Sequence, residues 1–168
     1  MDTNDLLHAA REIVAKVPLC MAITIDGKGD ANARVVNPKP LSEAWTVRFA
    51  THLKSRKSVE IARTGRLTLA YQYDPQGAYV TLVGRASVVE DVEAKTKNWG
   101  ADSYRWYPGG PADPNVVYVD FTAERIELWS GHHGVQPDPT ICLWAAVLVR
   151  DNAGWRQLTS MDLAGQER

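Results

Sequence analysis

Cysteine is scarce in this 168-residue chain: Cys20 and Cys142 are its two thiols, each inside an apolar, strand-like run. Two thiols cannot build a disulfide framework, and no CxxC or Cys/His spacing marks a zinc site, so both read as buried small hydrophobes and no metal is expected. Net charge is equally lacking. Nineteen Lys and Arg against 20 Asp and Glu leave a formal −1, so no global field draws the chain to nucleic acid or an anionic membrane, and any anion site must be local. Long hydrophobic runs are missing too. The longest, Ile141 to Val149, falls well short of the roughly 20 helical residues that cross a bilayer. The N-terminus carries Asp2, Asp5 and Glu12 where a signal peptide needs a basic start and an unbroken apolar stretch. The expectation is a cytoplasmic protein with no nucleic-acid or membrane partner. No GxGxxG or Walker sequence occurs, and no Ser/His/Asp or Cys/His set is legible, which lowers the P-loop and hydrolase readings.

What is present is an ordinary globular balance, 45% hydrophobic and 23% charged. That composition and length predict one domain, 1–168, with one core. Leu6, Ala10, Ile13, Val14 and Val17 recur at helical spacing, with Thr3 or Asn4 as cap and Pro18 as stop. The period then changes to two. Leu19–Asp26 and Asp30–Pro38 read as a hairpin turning on Gly27 and Gly29, and Trp45–Thr51 as a third strand. Ser55–Arg63 reads as a short helix ended by Gly65, followed by strands Arg66–Tyr73 and Tyr79–Glu90 around a turn at Asp74–Gly77. Asp91 begins a second short helix, an aromatic loop runs from Trp99, and Asn115–Phe121 with Arg125–Trp129 reads as two strands or one bent strand. Ile141–Val149 and Trp155–Leu158 would close the chain as a hairpin. Many short antiparallel strands with few helices predict a mainly β barrel or sandwich.

The stretch Thr51-His52-Leu53-Lys54-Ser55-Arg56-Lys57 carries the chemistry. Its cations stand at a helix start, where unpaired amides already make the field positive, so Lys54, Arg56 and Lys57 raise the energy unless an anion sits there. A phosphomonoester would accept bonds from Ser55, the free amides, Arg56 and Lys57. The competing reading is a solvated first turn with Ser55 as an ordinary cap. His132 and His133 lack a completing ligand nearby and read as exposed loop histidines. Trp99, Tyr104, Trp106 and Tyr107 either wall a flat ligand or cover a barrel end or a subunit interface.

Arg34-Val35-Val36, Thr51 with Ser55-Arg56-Lys57, Tyr79-Val80-Thr81-Leu82-Val83-Gly84-Arg85-Ala86 and Arg125-Ile126-Glu127-Leu128-Trp129, in that order, resemble the pyridoxamine 5′-phosphate oxidase-like family of FMN-binding split barrels. Trp106-Tyr107-Pro108-Gly109-Gly110-Pro111 is most similar to its general stress protein branch. The resemblance implies an antiparallel six-stranded split barrel with a few short helices. It also implies a homodimer with FMN at each subunit interface, exchanging electrons with a small-molecule donor or acceptor. Arg34, Val35 and Val36 would line the isoalloxazine and Thr51 would bond it. Ser55, Arg56 and Lys57 would hold its phosphate, and Trp129 of the partner subunit would approach the ring. Lys39 falls where the oxidase has a lysine for the substrate phosphate. Gly134-Val135-Gln136-Pro137-Asp138-Pro139 supplies none of the oxidase's Arg-x-His, which argues against oxidation of pyridoxamine phosphate, and Tyr79 stands where the oxidase uses a Gln. A flavin-dependent oxidoreductase of unknown substrate is the expectation. The alternatives are a flavin-binding stress protein without turnover and a split barrel that binds heme or a deazaflavin.

Overall fold

The computed structural model describes residues 1–135, 145–159 and 162. Cys142, the expected strand start at Ile141 and the stretch 136–139 lie outside them.

The helix α1 (Thr3–Ala15) buries Leu6, Ala9, Ala10, Ile13 and Val14 along one stripe. Its cap is Asp2, not the expected Thr3 or Asn4: the Asp2 carboxylate accepts from the Asp5 amide at 2.9 Å and the Asp5 carboxylate accepts from the Asp2 amide at 3.1 Å. An acidic residue three positions before another acceptor closes this reciprocal box and satisfies two orphan donors at once. Lys16 ends the helix before Pro18.

Strands β1 (Cys20–Ile25) and β2 (Ala31–Val36) form the first hairpin, registered from Cys20 opposite Val36 to Ile25 opposite Ala31. The Asp26 carboxylate accepts from the amides of Lys28 and Asp30 across its turn. Of the two glycines expected to adopt positive φ there, Gly29 does, at 93°. Then come β3 (Thr46–His52), α2 (Arg56–Thr64), β4 (Arg66–Tyr73), β5 (Ala78–Val89) and α3 (Val92–Lys97), and finally β6 (Val116–Trp129), β7 (Ala146–Asp151) and β8 (Gly154–Gln157). β3 begins one residue later than expected because Trp45 takes a positive φ of 63°. That turn buries its ring against Trp155, with centroids 5.6 Å apart, under the Arg11 guanidinium at 4.2 Å. Lys95 of α3 is buried as well, donating from Nζ to the carbonyls of Asp113 and Val116.

The sheet runs β2-β1-β4-β5-β6-β7-β8, antiparallel throughout, with β3 also on β6. The described residues form eight strands in one sheet, two more than the six expected. The stretch read as two strands or one bent strand is one strand of 14 residues, and it is the hub of the fold. β5 follows one edge of it from Tyr118 to Trp129, while the other edge is divided between β3, on residues 116–122, and β7, on residues 125–128. Phe49, Leu69, Tyr71, Val80, Leu82, Ile126 and Leu128 form the core, with Ile13 from α1 and Ile61 from α2 packed against them. Burial pushes the Cys20 thiol up to about 11, disfavouring its thiolate, and the cysteine packs in the core as the sequence implies. No ladder joins β2 to β3 among the described residues. The barrel is split there, and the split is where the cavity opens.

Among the described residues no helix is long and apolar enough to cross a membrane.

Candidate functional site

The cavity has a volume of about 520 Å³. It is lined by Val35 and Val36 at the end of β2, by Phe49, Ala50 and Thr51 of β3, and by the connection 37–40. The roof is the loop after α3, through Asp102, Ser103, Trp106 and Tyr107. Lys57, at the start of α2, projects into the same space.

Strand β3 delivers the chain to α2 through a tight turn, and Ser55 caps the helix as its composition implies. The Ser55 hydroxyl accepts from the Ser58 amide at 3.4 Å and lies 3.5 Å from the Thr51 hydroxyl. The next two residues diverge. Arg56 is exposed and donates to Asn32 Oδ1 at 3.2 Å, whereas Lys57 is half-buried against the cavity. Burial, then the nearby Arg34 guanidinium, hold the Lys57 ammonium below the usual lysine range. Among the described residues Lys57 makes no ion pair or side-chain hydrogen bond, so this desolvated cation has no counter-charge among them. A cation in that condition raises the energy of the site until an anion joins it.

Arg34 lies elsewhere. The alternation of β2 turns it inward with Asn32, towards Glu60 of α2, which is 7% exposed. Glu60 accepts from Arg34 at 3.3 Å, from the Asn32 amide at 3.2 Å and from the Thr24 hydroxyl. Arg34 also donates to the Asn32 carbonyl at 2.7 Å. Its guanidinium is therefore committed to a buried network and does not line the cavity. Sequence reasoning missed Glu60. The legible signal was a carboxylate on the buried side of α2, three residues past Lys57, since a buried acid needs a basic partner.

The aromatic loop is fastened from several sides. Lys95 ties its far end to the base of β6 through the two carbonyl bonds already described. Tyr107 Oη donates to the Ala50 carbonyl and Tyr118 Oη to the Asn98 carbonyl, both at 3.0 Å. Trp99 lies edge-on to Tyr104, Tyr107 and Tyr118 at 5.8, 6.1 and 6.4 Å. Residues 101–105 form a 3₁₀ turn where an irregular loop is expected. No pattern in the sequence announces Lys95, because its partners are main-chain carbonyls that any residue provides.

Of the expected site residues, the fold brings Val35, Val36, Thr51, Lys57 and Lys39 to one cavity. Ser55 stands behind Thr51, Arg56 sits on the outer side of α2, and Arg34 belongs to the network beneath. Trp129 is at the far end of β6, opposite Tyr79. At a strand rise of roughly 3.3 Å per residue, the stretch from Val117, opposite Thr51, to Trp129 is on the order of 40 Å. Tyr79 donates to Glu127 at 3.2 Å. His132 is exposed as expected, but His133 is not a free loop histidine: its ring bonds Ser130 Oγ through Nδ1 and Glu12 through Nε2, each at 2.8 Å. The two histidines lie in the turn that the Ser130–Val135 bridge closes, their rings 5.0 Å apart, and only His133 reaches Glu12 of α1.

Sequence and fold both have counterparts. The sequence model of the family described as "pyridoxamine 5′-phosphate oxidase like" matches residues 5–144. General stress protein 26 of Bacillus subtilis (strain 168) is 31% identical over 89 residues, which is 51% of this chain and 63% of that protein. The chain therefore spans less than two thirds of that relative's length. A protein related to general stress protein 26, from Clostridium acetobutylicum, superposes with a TM-score of 0.67 at 22% identity, over 77% of this chain and 91% of its own. A pyridoxamine 5′-phosphate oxidase-related, FMN-binding protein from Nostoc punctiforme gives 0.62 at 11% identity, over 94% and 96%. PhzG from Burkholderia lata, in complex with tetrahydrophenazine-1-carboxylic acid, gives 0.63 at 18% identity, over 93% and 89%. At such identities these structures establish a shared fold.

Proposed function

Because the chain belongs to the pyridoxamine 5′-phosphate oxidase-like family, we propose that it binds FMN in the split between β2 and β3 and acts as a flavin-dependent oxidoreductase. The observation that carries this reading is Lys57, a half-buried cation with no acidic partner among the described residues, projecting into a cavity at a helix start. The donor set suits a phosphomonoester: an ammonium, the hydroxyls of Ser55 and Thr51, and the first amides of α2. Arg56 would add a second charge from the rim, while Arg34 would act from below by holding Glu60. Val35, Val36 and Leu19 present an apolar wall that would keep water from one side of a flat ring. The flavin would supply electron exchange with a small-molecule donor or acceptor, and the protein would contribute anchorage and a dry, oriented surface. The FMN-binding relative and the tricyclic ligand held by PhzG are in keeping with a site for flat molecules.

Titration of the purified chain with FMN and riboflavin, followed by flavin fluorescence, tests the reading. FMN should bind more tightly by at least tenfold, because only FMN carries the phosphate. Equal affinities, or no binding of either, would refute it. Reduction of the bound flavin by a nicotinamide donor and reoxidation by an acceptor would then separate turnover from storage.

A homodimer completes the proposal. Trp129, some 40 Å of strand away from Thr51, would meet the cavity only from a second copy. Sedimentation at micromolar concentration should report twice the 18.6 kDa chain mass. A monomer that still binds FMN tightly would remove Trp129 from the site.

A further inference from the structure

Every ring of the aromatic loop but one has an aromatic partner among the described residues. Trp99, Tyr104, Tyr107 and Tyr118 satisfy one another edge-to-face, and the phenols of Tyr107 and Tyr118 end on main-chain carbonyls. Trp106 lines the cavity yet is 66% exposed, and among the described residues it has no aromatic partner. Its one neighbour of note is the Arg105 guanidinium, 5.4 Å from the ring centre. An indole is the largest apolar side chain to leave in water, and here it extends from a segment otherwise anchored by a buried lysine and two phenols. The segment is built to hold Trp106 at the mouth.

The mouth also has a polar edge. Ser103 and Asp102 lie in the 3₁₀ turn that Trp106 caps, and Lys39 lines the same cavity from the connection 37–40. A β-carbon at Gly100 would stand 3.1 Å from Lys39 Nζ, so the ammonium packs onto the loop where the side chain is missing. Lys39 and Ser103 are donors, and a carbonyl oxygen at the rim of a flat ring is the acceptor that suits them.

We infer that Trp106 is the specificity-determining platform for the second ligand of this cavity, a planar conjugated carbonyl compound of the quinone type, stacked on the indole with an oxygen towards Lys39 and Ser103. The inference rests on the flavin reading of the cavity, which assigns the phosphate end to Lys57 and leaves the mouth to another molecule.

Menadione is the probe, and cyclohexane-1,4-dione, which has carbonyls but no conjugated ring, is the control. Calorimetric titration of wild type, Trp106→Ala and Trp106→Phe is run with and without FMN. Menadione should bind wild type in both conditions. Trp106→Ala should weaken it by roughly 3- to 10-fold, as loss of one aromatic contact does, and Trp106→Phe should recover most of the loss. The dione should respond to neither variant, and the FMN affinity should stay within twofold. Unchanged menadione affinity in Trp106→Ala, or no menadione binding to wild type, would overturn the assignment. So would an equal loss of FMN and riboflavin, which would make the indole part of the cofactor pocket, or a fall in sedimentation mass, which would make it a subunit contact. If FMN fails to bind wild type, the cofactor reading is lost, while the titrations without FMN still decide the role of Trp106.

Discussion

Gly84→Ala is expected to remove a large part of the folding stability. A β-carbon at this position would lie 1.9 Å from the Thr122 carbonyl oxygen, 2.9 Å from its carbon and 3.0 Å from Ala123 Cα. Every one of these atoms is main chain, so no rotamer change can relieve the clash. The register between β5 and β6 shifts at this point, between Val83 and Gly84. Making room would mean parting the two longest strands at the centre of the sheet. Losing the ladder bonds and core contacts there should cost more than about 4 kcal/mol, against a total of about 5–15 kcal/mol for an ordinary domain. Gly65→Ala provides the comparison. Gly65 has a φ of 64° but nothing within 4 Å of its virtual β-carbon, so it should lose about 1–2 kcal/mol from backbone strain alone. Chemical denaturation of both variants would decide. If Gly84→Ala loses no more than Gly65→Ala, the close approach of the strands at the bulge does not hold in solution.

Lys57→Ala should lower FMN affinity by roughly 10- to 150-fold, the equivalent of one charge-assisted bond of about 1.5–3 kcal/mol, with riboflavin nearly unaffected. The two-ligand, two-protein cycle isolates the coupling between lysine and phosphate. The pH dependence has a defined sign. In the free protein, burial and Arg34 lower the Lys57 pKa, and a bound phosphate would raise it again by favouring the ammonium. FMN binding therefore takes up a proton once the pH exceeds the depressed value, and affinity should fall as pH rises through it, whereas Lys57→Ala should be flat in that range. Equal losses for FMN and riboflavin would mean that Lys57 supports the ring pocket or the fold. No loss for either would return α2 to a solvated helix turn.

Some of this was written locally. The Ser55 cap, the Gly65 stop and the strand Arg66–Tyr73 follow from spacing within a dozen residues, because helix and strand periods and caps are properties of neighbours. The excess of cations at the start of α2 is equally local, and by itself it calls for an anion. Which of those cations lines the cavity was not local. Arg34 is the cation that the family resemblance assigns to the ring, but Glu60, 26 residues further along, takes it into a buried network, while Lys57 meets no such acid among the described residues. Residues 116–129 show a strand period but cannot say that one edge serves two different strands, since that depends on the pairing of β3 and β7 with opposite halves of it. The cavity itself exists because β2 and β3 fail to pair. Its composition is therefore set by segments that lie far apart in the chain, Val35, Thr51 and Trp106 among them. Periodicity specifies which side of an element is apolar. Only the packed tertiary structure decides what that side meets, because partner and register are chosen by the burial of the whole core at once.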